Sequence, residues 1–197
     1  MNDSIAVPGR VCSAGVDIVD LARFARGLRR SGPAFVHRVF DRSECAAAGV
    51  TDDCADDFAD DGVLDSTRVA ALARIFGIKE SVVKVAGGLP TGARYRDVVV
   101  GSTGTELTRM DAIARSASVQ LRGELARWAE RFDVTVTGGV RAFGDVEVCW
   151  AAAVPVGPEG SPRSVDLRRS RLIQHFYAEK VLTTRPTTQP PAAEVTR

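Results

Sequence analysis

Residues 12–19 run CSAGVDIV, a short apolar and partly β-branched stretch interrupted by one acid, Asp17. Such a run predicts a buried strand that carries its single carboxylate near the end. Asp20 can then cap a helix, LARFARGLRR, which Ser31, Gly32 and Pro33 break. A short helix follows through PAFVHRVF, and another starts near Asp41 with SECAAA. From Asp65 or Ser66, valines and alanines mark the buried stripe of a longer helix that Gly87 and Gly88 stop, with Pro90 beyond. YRDVVV (95–100) predicts a strand, and 107–132 reads as mostly helical, with Leu121, Leu125 and Trp128 at core spacing. DVTVT (133–137) and VEVCWAAAVPV (146–156) predict two strands around a turn at Gly144-Asp145. Helices and strands mix without βαβ regularity, which predicts an α+β class. The expected division is a domain over 1–157 and an extension over 158–197, with a helix at 164–181 and a disordered proline- and threonine-rich end.

Composition narrows the function classes. The 197 residues suit one domain, or one domain plus a tail, and 45% hydrophobic content excludes a disordered chain. A formal net charge of +1 gives no overall basic field, so nucleic acid is not an expected partner and any anion must be held by a local patch. The first ten residues contain no apolar run, and 149–156 is far too short to cross a bilayer, so neither a signal peptide nor a membrane contact is expected. Four cysteines without a C-x-x-C pair argue against zinc and disulfides, and the expected setting is the cytoplasm. The acidic run TDDCADDFADDG (51–62) lacks the EF-hand spacing and reads as a solvated loop rather than a calcium site.

Basic side chains are almost all arginine. Only Lys79, Lys84 and Lys180 are lysines, so two of the three fall in one helix, IFGIKESVVKVAGG. On that helix Phe76, Glu80, Val83, Lys84 and Gly87 share a face. Alone, Glu80 and Lys84 are an ordinary i,i+4 surface pair contributing about 0.2–0.5 kcal/mol, and Asp17 alone is a strand-end cap. Gly77 adds a reason to look further, because a glycine inside a helix usually marks close packing. Two carboxylates from separate elements, with an ammonium one turn away, suit a hard divalent cation bound to a phosphate. Phosphoryl transfer needs mainly positioning and charge neutralisation.

The order G-V-D-I-V-x-x-x-R-F, then F-x-x-R-x-F, then F-x-x-K-E-x-x-x-K ending in glycine resembles holo-acyl-carrier-protein synthase. That family belongs to the 4'-phosphopantetheinyl transferases, and the likeness covers about 14–100 well and the last two strands loosely. It implies a small mixed sheet packed against a long helix, in a homo-oligomer, often a trimer, with the site at subunit interfaces. It further implies that Asp17 and Glu80 hold magnesium, and that Lys84 sits beside the pyrophosphate of coenzyme A. Glu80 and Lys84 would be the catalytic pair. Arg74, Lys84, Gly87 and Thr137 would bind the coenzyme. Arg23, Arg26 and Arg30, at i, i+3 and i+7, would face the acidic helix of an apo acyl carrier protein. Its serine would attack the β-phosphate and release 3',5'-adenosine bisphosphate, with either a metal-bound water or Glu80 taking the proton.

Two positions depart from the family pattern, and the acidic run at 51–62 and the chain beyond Val156 are additions to it. Ile75 stands where an arginine usually precedes the aromatic, so Arg74 lies about 100° away around the helix. Gly138 stands where a histidine ends the late strand. Those departures favour an alternative from another class, a non-catalytic member of the fold that binds a carrier protein or assembles a complex. The intact Asp17, Glu80 and Lys84 favour the enzyme.

Overall fold

The computed structural model describes residues 13–50, 65–109 and 112–156. The acidic run at 51–62, the expected boundary at 157/158 and the helix at 164–181 lie outside the described residues. The order of elements is β1 (Ser13–Asp20), α1 (Leu21–Val39), α2 (Arg42–Ala47), α3 (Ser66–Val85), a 3-10 turn (Tyr95–Asp97), β2 (Val98–Arg109), β3 (Ala112–Leu121), α4 (Gly123–Arg131), β4 (Val134–Phe143) and β5 (Val146–Pro155). Five strands form one sheet in the order β1-β5-β4-β3-β2. The α+β class and a sheet on one long helix are as expected. All four pairings among these strands are antiparallel, however, rather than mixed.

The helix boundaries follow from their caps. Asp20 accepts the Arg23 amide at 2.7 Å, and Asp65 accepts those of Thr67 and Arg68. Asp41 and Glu44 form a reciprocal capping box at the start of α2. Gly32, with φ +56°, kinks α1 just before Pro33, so the two expected helices run on as one bent rod. At the far end of α3, Gly87 adopts φ +77° and Gly88 donates its amide to the Val83 carbonyl, closing the helix.

The middle of the chain corrects the sequence reading. Residues 107–132 are not mostly helical: β2 and β3 form a long hairpin, and only Gly123–Arg131 is helix. Tyr95, Arg96 and Asp97 make a 3-10 turn, and the strand begins at Val98. The segment AIARSASVQL is rich in residues that favour helices, but pairing with β2 on one side and β4 on the other overrides that weak preference. β4 also continues past Thr137 through Gly138 and Gly139 to Phe143.

Two apolar clusters flank α3. One joins Phe24, Leu28, Val36 and Phe40 to Val69 and Leu72; the other joins Ile78 and Val82 to Val98, Leu125 and the inner faces of β4 and β5. Helix and sheet approach closely at two glycines. A β-carbon on Gly15 would collide with the Ser81 carbonyl oxygen, and one on Gly77 would stand 2.5 Å from Cys149 Sγ and 2.8 Å from Val19 Cγ2. Gly77 therefore has the packing reason its sequence position suggested. Among the described residues no helix is long and apolar enough to cross a membrane.

Candidate functional site

Side chains alternate along β1, so Gly15, Asp17 and Val19 share the face that meets α3. Asp17 is thereby carried to the flank of the helix. Lys84 Nζ donates to Asp17 Oδ1 at 2.6 Å and to the Val16 carbonyl at 2.8 Å. One turn earlier on the same helical face, Glu80 Oε1 accepts the Tyr95 hydroxyl at 2.8 Å. Burial, the hydrogen bond to Glu80, and the charges of Glu80 and Asp17 together push the Tyr95 phenol up to about 12. Both carboxylates thus act on one hydroxyl. Asp17, 67 residues before Lys84, is brought to the helix face that carries Glu80 and Lys84, and Tyr95 joins them.

An aromatic wall borders this group. Phe76 stacks on Tyr95 with ring centres 6.3 Å apart and also meets Phe24 and Phe35. A cavity of about 350 Å³ opens against the wall, lined among others by Asp17, Arg23, Phe24, Arg30 and Phe76. Arg23 and Arg30 form its basic rim, and Arg26 is exposed on the same stripe of α1.

Other candidates lie elsewhere. Arg74 Nε donates at 2.8 Å to Glu147 Oε1, a buried carboxylate on β5, and makes no hydrogen bond to Asp17, Glu80 or Lys84. Gly87 sits one turn past Lys84, where nothing lies within 4 Å of a β-carbon. Thr137 points to the face of the sheet away from α3, because its neighbour Gly138 faces Ile78. Gly138 has no positive φ; packing is what limits it. A β-carbon there would come within 3.0 Å of Ile78 Cγ2 and 3.1 Å of the Trp150 carbonyl, so a histidine would have to displace the core.

Sequence reasoning missed two groups. Lys79 points away from Glu80 and is fully buried, with Nζ 2.8 Å from Glu44 Oε2, 3.0 Å from the Tyr95 carbonyl and 2.5 Å from that of Val98. Burial pulls its pKa down and the Glu44 charge opposes that pull. Glu44 also accepts from the backbone, taking the Asp41 and Val100 amides at 2.7 Å each. The scarcity of lysine was the signal for Lys79. Tyr95 gave none, since its partner lies fifteen residues away.

The donors fit magnesium. Among the described residues Asp17 Oδ2 and Glu80 Oε2 take no hydrogen bond, which leaves one hard oxygen on each carboxylate. Magnesium takes one or two carboxylates and fills its remaining positions with water and phosphate oxygens. The Lys84 ammonium adds charge for a phosphate beside them.

A profile of the 4'-phosphopantetheinyl transferase superfamily matches residues 13–137. A holo-[acyl-carrier-protein] synthase from Frankia casuarinae is 32% identical over 132 residues, covering 66% of this chain and 91% of that protein. Among solved structures, the holo-[acyl-carrier-protein] synthase of Neisseria meningitidis superimposes with a TM-score of 0.54 at 20% identity, covering 73% of this chain and 98% of its own. A complex of the Chronobacterium ammoniagenes synthase with coenzyme A gives 0.52 at 20% identity, covering 72% and 95%.

Proposed function

The chain belongs to the 4'-phosphopantetheinyl transferase superfamily, and from that membership we propose that it moves phosphopantetheine from coenzyme A to the serine of an apo acyl carrier protein. The observation that carries this reading is the Lys84–Asp17 ion pair one helical turn from Glu80. The ammonium draws the pyrophosphate of coenzyme A to the carboxylates. Asp17 and Glu80 would hold magnesium, which when bound neutralises charge on the transferring phosphoryl group. The serine oxygen forms a bond to the β-phosphorus as the bond to the bridging oxygen breaks, and 3',5'-adenosine bisphosphate leaves. Glu80 Oε2 is the oxygen available to hold the cation or to take the serine proton. Thr137 lies on the far face of the sheet, so within this reading it can reach coenzyme A only at the site of a neighbouring copy in a homo-oligomer.

Incubation with coenzyme A, magnesium and several apo carrier proteins, followed by mass spectrometry of the carrier, tests the assignment. A phosphopantetheine adduct on serine is the expected product. Failure to modify any carrier, with no calorimetric binding of coenzyme A, would sink it in favour of a non-catalytic member of the fold.

The carrier is expected to dock on the basic stripe. Arg23→Glu with Arg26→Glu should raise KM for the carrier at least about tenfold at low salt while leaving coenzyme A affinity unchanged. The wild-type KM should climb as salt is added, because exposed charges are screened. A salt-independent KM would point to another docking face.

A further inference from the structure

We propose that Tyr95 is a positioning residue for Glu80, and that the buried Glu44–Lys79 pair fixes it in place through its backbone. The inference rests on the transferase reading above and extends it to residues outside the motif. Glu80 is half-buried on α3, where a long carboxylate side chain still has several rotamers open to it. The phenol oxygen at 2.8 Å from Oε1 selects one of them. It also occupies that oxygen, so Oε2 is the one presented to the site.

The tyrosine has to be held firmly to do this, and two contacts hold it, one of them braced from behind. Its ring stacks on Phe76, one turn before Glu80 on the same helix. Its carbonyl accepts a hydrogen bond from Lys79 Nζ. Lys79 is in turn locked against Glu44, whose carboxylate is pinned by two backbone amides from α2 and β2. Lys79 and Glu80 are neighbours in sequence but lie about 100° apart on the helix. One anchors the backbone of Tyr95 and the other receives its hydroxyl. The consecutive lysine and glutamate therefore clamp Tyr95 from both ends. A phenylalanine would fill the same space and stack the same way, but only a hydroxyl reaches Glu80.

Tyr95→Phe isolates that hydroxyl. The variant should fold with a melting temperature within about 2–4 °C of wild type, the scale of one lost hydrogen bond, and an unchanged KM for coenzyme A. Its kcat should fall by about ten- to a hundredfold, the range covered by one hydrogen bond to a charged group. Half-maximal activity should also require several times more magnesium, whereas a merely structural role would leave the magnesium requirement alone. Wild-type turnover with a Tyr95→Phe kcat within twofold of it would overturn the positioning role and leave the transferase reading standing. A fall in kcat accompanied by a melting temperature lowered by more than about 4 °C and no change in magnesium requirement would overturn it too. Absence of turnover in the wild type overturns both.

Discussion

Replacing Asp17 or Glu80 with alanine should abolish transfer, lowering kcat by at least about a hundredfold, the scale seen when one preorganised electrostatic contact to a transition state is removed. The stability cost should be small. Asp17 pairs with Lys84, whose side chain is 48% exposed, so the lost ion pair is a surface interaction of about 0–1 kcal/mol. Glu80 loses one hydrogen bond, from Tyr95, at a half-buried position. For a chain of this size about 1 kcal/mol moves the melting temperature by roughly 2–4 °C. Activity and stability should therefore separate cleanly in these variants. Parallel assays of adduct formation and thermal unfolding measure the separation. Full activity in either variant would remove the carboxylates from the mechanism.

The opposite signature is expected at Lys79. Lys79→Met leaves Glu44 as an uncompensated buried charge, and breaking such a pair by removing one partner costs about 3–5 kcal/mol. At roughly 2–4 °C per kcal/mol the melting temperature should fall by about 10 °C. Adding Glu44→Gln should recover part of that loss, because the charge is gone and an amide oxygen still accepts one of the backbone amides that Glu44 now holds. Differential scanning calorimetry of the single and double variants checks both statements. A Lys79→Met protein as stable as wild type would show that the pair contributes nothing to the fold.

Local features were legible in the sequence, and contacts between distant segments were not. Asp20, Asp41 and Asp65 cap helices because a carboxylate two or three residues ahead of an amide needs no other part of the chain. Glu80 and Lys84 share a face for the same reason, and Asp17 joins them because strand alternation delivers it to the helix. Lys79 was misleading because charge normally signals exposure, and only a carboxylate thirty-five positions earlier lets it be buried. Arg74 and Glu147 lie seventy-three apart, so nothing near either one announces the pair. The hairpin at 98–121 was hidden because its alanines, leucine and arginine prefer a helix when judged alone.

If Asp17 and Glu80 hold a cation as proposed, Gly15 and Gly77 bear on which cation it is. At Gly15 the β1 backbone lies against the Ser81 carbonyl of α3, and at Gly77 the helix backbone meets the side chains of Val19 and Cys149, so the two contacts stand on either side of Asp17. The spacing of the backbones that carry Asp17 and Glu80 is therefore set at Gly15 by main-chain contact, while Tyr95 holds the Glu80 rotamer. Ions differ in radius, and a small hard cation with short bonds tolerates less widening than a larger one with seven or eight ligands. A methyl group at Gly15 would wedge helix from strand while leaving every acidic and basic group intact. Such a protein would keep its chemistry but change its ionic preference, from magnesium towards calcium or manganese. Discrimination between metals would then reside in part in Gly15, a residue that has no side chain with which to touch one.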